Sequence, residues 1–318
     1  MAELLPSLVV GLIPKLCAVP PKPDGFGAWL VEGTYQLDPI ISGQPIELSR
    51  VSYDELVPYF SRDFERFSLA CKESLLVARA EKDGHNLAGW PLLKLYYAAF
   101  FGAHAIMRSQ GRGVVFLTAG EADHLTDLNL IVHNSTTPVT RGVYSYELIQ
   151  SQTGSQPAIR IRSESRRAGV HESFWKLFCK FLKDSANNAA SRKLPDSSAF
   201  VVGASEISNA IFGPAHIASV WLSQTRNEIN YQHRHKTWFP IRTRDEPIRA
   251  LSYTDPVDSK AVRIDLSCTK TPIQAFVNTT RYLAFLSSEI SSHVAERSTA
   301  NGSFGQKWRR LLHAFGGA

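Results

Sequence analysis

Residues 90–108 read Trp-Pro-Leu-Leu-Lys-Leu-Tyr-Tyr-Ala-Ala-Phe-Phe-Gly-Ala-His-Ala-Ile-Met-Arg, and this stretch decides the fold class. Pro91 suits the first turn of a helix, where a missing N–H costs nothing. From Leu92 to Met107 only Lys94 and His104 interrupt the apolar run. The run is shorter than the roughly 20 residues needed to cross a bilayer. It therefore predicts a core helix, apolar on nearly every face, at the centre of a bundle or dimer. Its mixture of small and large side chains lets neighbouring helices approach closely.

Upstream, Ser52 stands before Asp54 and Glu55 like an N-cap with an acidic first turn. Leu56, Phe60, Phe64, Phe67, Cys71, Leu75 and Ala78 then recur at helical spacing, predicting a first long helix that ends near Gly84. Downstream, a third long helix is expected from Ser205. Ile207, Ile211, Ile217, Ala218, Trp221, Leu222 and Ile229 form its apolar stripe, with a bend at Gly213-Pro214. A fourth runs from about Pro272 to Ala295, and a basic amphipathic tail helix from Gln306 to Phe315.

Between the second and third helices the pattern changes. Gly113–Leu117, Val143–Ile149 and Ala158–Arg162 are short β-prone runs separated by turn residues. A helix over Glu172–Lys183 and a polar loop follow, and a strand is expected around Ala261–Leu266. The fold class is thus mainly α. A helical bundle in two halves, 51–111 and 204–318, is interrupted by an α+β insertion at 112–203 and preceded by a Pro/Gly-rich arm at 1–50 that packs on the body.

Composition narrows the function. A chain of 318 residues with 44% hydrophobic and 20% charged content is ordinary globular material, which argues against wholesale disorder, collagen-like repeats and disulfide miniproteins. Thirty-five Lys+Arg against 29 Asp+Glu give a formal charge of +6 and a pI near 9.1, a bias that suits a polyanionic partner. Cys17, Cys71, Cys179 and Cys268 are widely spaced and read as buried thiols of a reducing compartment. Glu3, Lys15, Pro6 and Pro14 spoil the pattern of a secretory leader, so a cytoplasmic location is expected.

No phosphate-binding Gly-Lys loop, dinucleotide fingerprint or serine-nucleophile elbow is present. Glu121, Asp123, His124, Asp127 and His133 read as the acids and solvated histidines of a helix rather than a ligand set. Neither a metal nor a cofactor is expected.

The stretch that carries chemistry is Thr225-Arg-Asn-Glu-Ile-Asn-Tyr-Gln-His-Arg-His-Lys236. On a continuous helix Arg226 and His233 would lie about 20° apart in projection, with Asn230 on the same face. An ionised guanidinium that forks onto phosphate oxygens, beside an imidazole that carries a proton near neutral pH, forms a minimal kit for phosphodiester cleavage. Arg234, Lys236, Arg242 and Arg244 would rim such a site with phosphate-binding charge. Tyr231 and Trp238 are available to stack on bases.

This stretch resembles the motif of the HEPN superfamily of helical ribonucleases: an Arg, a polar residue, then a His after four to six intervening residues. Arg226, Asn227 and His233 match it, and the order of long helices is similar. Arg79 with His85 and Arg166 with His171 offer rival spacings. Arg79 is followed by Ala80, however, and Arg166 by Arg167 in a loop-like stretch. The resemblance covers the helical half of the chain and neither the arm nor the insertion.

The resemblance implies a homodimer whose two motifs face a shared cleft. It implies metal-independent cleavage of RNA, tRNA included, with His233 as general acid or base and Arg226 stabilising the phosphoryl charge. Asn227 would orient Arg226 or touch phosphate, and His235 would be a secondary proton carrier. Toxin members silenced by a nucleotidyltransferase antitoxin carry a Tyr two residues after the His. This chain has His235 there, which puts that mode of silencing in doubt. A toxin–antitoxin or anti-phage defence setting is implied, with the insertion as a sensing or targeting module and a regulatory or sensor protein as a further partner. Two other readings stay open: a noncatalytic HEPN-like module for RNA or nucleotide binding or for dimerisation, and a helical adaptor that packs through residues 90–107 and 308–312.

Overall fold

The structure, a computed structural model, describes all residues except 1–3, 14, 17–20, 23, 85–87, 151–156, 165–168, 214–219, 239–270, 299–303 and 315–318. In chain order the elements are α1 (Leu5–Val10), α2 (Phe26–Glu32), β1 (Gln36–Leu37), β2 (Ile46–Ser49), α3 (Tyr53–Gly84), α4 (Gly89–Ser109), β3 (Arg112–Leu117) and α5 (Ala119–His133). They continue with β4 (Gly142–Gln150), β5 (Pro157–Ser163), α6 (Val170–Ser191), α7 (Ser197–Phe212), α8 (Trp221–Tyr231), a 3₁₀ turn (Arg234–Lys236), α9 (Pro272–Arg297) and α10 (Phe304–Ala314). Among the described residues the protein is mainly helical, with one antiparallel sheet.

Helix α4 is the central element, packed chiefly against α3 and α9. Gly102 is where the three helices meet: a Cβ there would lie 2.9 Å from the Ser287 Cβ and 3.1 Å from the Cys71 Sγ. The glycine thus permits a backbone approach that any side chain would force apart. Ser52 caps α3 by accepting from the Glu55 N–H at 3.4 Å. Thr271 caps α9 by accepting from the Gln274 N–H, with Pro272 in the first turn. No helix among the described residues is long and apolar enough to cross a membrane.

The sheet runs in the order β1-β2-β5-β4-β3. Its three longer strands lie where the β-prone runs predicted them. The arm does more than pack on the body, because β2 pairs antiparallel with β5 in the register Ile46↔Ile161 and Leu48↔Ile159, and β1 extends the edge. Ile46, Leu48, Ile159 and Ile161 are all buried, so the two-residue period turns one face of both strands inward. Residues 1–50 and 112–203 therefore share one sheet.

Three boundaries differ from expectation, the first being that α7 starts at Ser197, eight residues ahead of the expected Ser205 and within the 112–203 segment. The polar stretch after Lys183 is not a loop: α6 continues to Ser191, because Ala186 and Ala189 extend its buried stripe while Ser and Asn occupy the other faces. The third long helix is two helices. α7 ends at Gly213, whose φ of +78° lies in the left-handed region, and α8 starts at Trp221. Pro214, Ile217, Ala218 and the strand expected around Ala261–Leu266 lie outside the described residues.

A buried ionic cluster joins the layers. Asp63 of α3 accepts from the Phe26 backbone N–H at 3.2 Å and faces the Arg108 Nε at 3.9 Å. Arg108 also donates to the Val114 carbonyl of β3 and bonds the His104 Nδ1 at 2.9 Å. Burial, then the neighbouring Arg108, His171 and Arg66, holds the His104 imidazole well below its usual pKa. The unfolded chain takes up a proton near pH 6.5 that the native chain refuses, so this contribution is intact above pH 6.5 and is lost as pH falls below it. Unfolding free energies from urea titrations are expected to drop between pH 7.5 and 5.5, by at most about 1.4 kcal/mol per pH unit for such a histidine. A slope unchanged in His104→Gln would show that this imidazole is not the cause.

Candidate functional site

On α8 the residues Leu222, Thr225, Arg226 and Ile229 recur at helical spacing and are buried. That stripe carries a cation into the interior: Arg226 is only 9% exposed. One terminal nitrogen donates to the Tyr97 hydroxyl of α4 and the other to the Asn227 Oδ1 at 2.9 Å. The guanidinium carbon lies 5.5 Å from the centroids of both the Tyr97 and Tyr231 rings. The Arg226 Nε is buried without a hydrogen-bond partner, and among the described residues Arg226 has no carboxylate partner. Burial works against the cation, but its contacts with the Tyr97 and Tyr231 phenols outweigh that effect and raise the pKa further.

A second imidazole, His171 of α6, belongs to this cluster. Its Nδ1 is bonded to the Tyr96 hydroxyl at 3.1 Å, and the same hydroxyl accepts from the Trp175 indole N–H at 3.0 Å. The His171 ring is 6.0 Å from that of Tyr97, the Arg226 partner. Burial first, and the Arg226 charge second, push the His171 pKa down to about 4. Sequence reasoning treated this histidine as part of a rival pair in a loop-like stretch. The adjacent Tyr96 and Tyr97, two polar tips in an otherwise apolar run, were the available signal.

The carboxyl-terminal half of the motif is arranged differently from expectation. Helix α8 ends at Tyr231, and His233 is exposed with a left-handed backbone, φ 50°. The projection that placed Arg226 and His233 on one helical face therefore does not apply to His233. The chain turns back because Trp238 docks on α4: its indole meets Trp90 edge-on at 5.2 Å and donates to the Ile229 carbonyl. The Thr237 carbonyl accepts from the Gly89 N–H at 2.9 Å. The His233 ring lies 6.1 Å from the Trp238 ring.

Glu228 gathers the next residues. Its carboxylate meets the His235 Nε2 at 2.9 Å and accepts from Arg234 at 3.2 Å and from Gln224 at 3.1 Å. Burial raises the Glu228 pKa, but the His235 and Gln224 bonds outweigh it and leave the carboxyl below its usual value. Arg234 is thus already paired with an acid, whereas Lys236 and Tyr231 are exposed, Tyr231 at 68%. Asn230 is half-buried. Arg242 and Arg244 lie outside the described residues.

Next to Arg226, on the side of its partner Asn227, lies an open cleft of about 420 Å³, lined by Glu172 of α6, by Ser223, Gln224, Asn227 and Glu228 of α8, and by Arg234. The structure thus brings Arg226, Asn227, Tyr231 and His171 together and sets His235 against Glu228. No group of His, Cys, Asp and Glu side chains among the described residues is arranged to hold a metal ion. Glu121 of the acidic patch closes a capping box with Thr118, and His133 bonds the Leu37 carbonyl. Cys71 and Cys179 are buried, and burial pushes both thiols up to about 12. Cys17 and Cys268 lie outside the described residues.

No protein-family model, curated protein or solved structure matches this chain.

Proposed function

We propose that this protein is an endoribonuclease of HEPN type that cleaves RNA without a metal cofactor. The observation that carries the reading is Arg226: a cation withdrawn from water on the apolar stripe of α8, flanked by two aromatic rings and lacking a carboxylate partner among the described residues. A buried cation that is held by phenol oxygens and rings but by no carboxylate stays charged and keeps its attraction for an anion, and a phosphodiester in the adjoining cleft would supply one. The order of α3, α4, α8 and α9, with α5, α6 and α7 between the second and third of them and Arg226 and Asn227 at the middle of α8, supports the same reading.

In the reaction, a base takes the proton of an RNA 2′-hydroxyl as its oxygen attacks the adjacent phosphorus. The bond from phosphorus to the 5′-oxygen breaks, and an acid protonates that oxygen. The products are a 2′,3′-cyclic phosphate and a free 5′-hydroxyl, and DNA lacks the nucleophile. Arg226 stabilises the growing phosphoryl charge, Asn227 orients it, and His233 carries the proton. Tyr231 stacks on a neighbouring base, and Lys236, Arg242 and Arg244 bind flanking phosphates. The working unit is a homodimer with a composite cleft, in a bacterial toxin–antitoxin or anti-phage setting in the cytoplasm.

Total RNA and tRNA incubated with the purified chain in EDTA test the reading through the end groups produced. Cyclic phosphate ends support it, and intact RNA under all conditions counts against it. His235 is held by Glu228, so His235→Ala is expected to retain more of the cleavage rate than His233→Ala. The reverse order would move the proton carrier to His235. The exposed, left-handed position of His233 favours a second reading, a noncatalytic module that binds RNA through Arg226. Tight RNA binding with no cleavage would identify it.

A further inference from the structure

We propose that His171 completes an anion pocket with Arg226, donating its Nε2 proton to a phosphoryl oxygen of the bound strand. The inference deepens the ribonuclease reading and rests on it for the identity of the anion as an RNA phosphodiester.

The tautomer follows from the hydrogen-bond chain. The Tyr96 oxygen accepts from the Trp175 indole N–H at 3.0 Å, and indole is a donor only. The Tyr96 hydroxyl proton then has one acceptor among the described residues, the His171 Nδ1 at 3.1 Å. A histidine whose Nδ1 accepts carries its proton on Nε2, and that nitrogen has no partner among the described residues. Trp175 and Tyr96 are buried, so the chain fixes the ring from the core side, as an outer partner orients a metal-bound histidine. His171 itself is half-buried.

The placement suits an anion. His171 and Arg226 both reach the Tyr97 ring, and the next residue, Glu172, lines the same cleft as Asn227. A neutral N–H beside a cation adds a directed donor without a second charge to desolvate. His171 therefore contributes hydrogen bonding to the phosphoryl group and leaves proton transfer to another residue.

The test is a long-range ¹H–¹⁵N spectrum of the full chain labelled at histidine, titrated with inorganic phosphate at pH 7. His171 is assigned by its absence from the His171→Gln spectrum. It is expected as the Nε2–H tautomer, its resonances moving with phosphate in the wild type and not in Arg226→Ala. His171→Ala is expected to weaken phosphate binding about tenfold, the scale of a hydrogen bond to a charged group, with His171→Gln recovering part of the loss. An Nδ1–H tautomer, resonances indifferent to phosphate, or unchanged affinity in a folded His171→Ala would each overturn the proposal. RNA cleavage by the same preparations separates the two levels. RNA left intact while phosphate still moves His171 refutes the ribonuclease reading alone. Cleavage that depends on Arg226 but not on His171, with His171 indifferent to phosphate, refutes this proposal alone.

Discussion

Replacing Arg226 with alanine is expected to lower RNA cleavage by about 10²–10³-fold, the usual cost of removing a preorganised donor aimed at developing charge. The fold should survive. Arg226 spends its hydrogen bonds on Tyr97 and Asn227 and has no carboxylate partner among the described residues, so its loss strands no buried counter-charge. Truncating it gives up two hydrogen bonds and contact with two rings, a cost of about 1–3 kcal/mol. The variant should therefore unfold at a modestly lower urea concentration than the wild type yet stay folded in buffer while losing activity. Cleavage within a few-fold of wild type would remove Arg226 from the site. A large loss of stability would make Arg226 a structural residue instead. Arg226→Lys discriminates further, because an ammonium keeps the charge but cannot fork onto two oxygens.

Asp63→Ala is expected to show the largest stability effect, a loss of about 3–5 kcal/mol from leaving a buried charge unpaired. Its carboxylate faces the Arg108 guanidinium, with both side chains no more than 5% exposed. It also accepts the backbone N–H that starts α2. Arg108 reaches onward to β3, so the substitution loosens arm, bundle and sheet together. Urea unfolding followed by circular dichroism measures it. A loss below about 1 kcal/mol, the scale of an exposed ion pair, would show that solvent already screens this cluster. Activity should fall only in proportion to the folded fraction, since Asp63 lies on α3 and lines no part of the cleft.

Local pattern determined what was legible in the sequence. Helices α3, α4 and α9 and strands β3, β4 and β5 each satisfy their own period over many residues, so their positions follow from hydrophobic spacing alone. Strands β1 and β2 are short, and only their pairing with each other and that of β2 with β5 make them visible. The continuation of α6 rests on Ala186 and Ala189 meeting neighbours, a tertiary fact invisible among Ser and Asn. In the site, Arg226 and Asn227 are adjacent in sequence and in space. His171 joins them from another helix through the Tyr96 contact, a proximity that no spacing rule reports. His233 was misplaced because a helical projection assumes that the helix continues, and the docking of Trp238 stops it.

The sheet that the arm shares with residues 112–163 also sets an order of events. Leu48 finds Ile159 only after about a hundred further residues have left the ribosome, and contacts so distant in the chain form late. The compact helical pair α3 and α4 lies between these partners and has mostly local contacts to make. It is expected to collapse first and hold the two ends of the sheet near each other, so that strand pairing follows the helical pair and precedes the docking of α9. Until then Ile46 and Leu48 stay uncovered, and this interval is when the nascent chain is most exposed to mispairing.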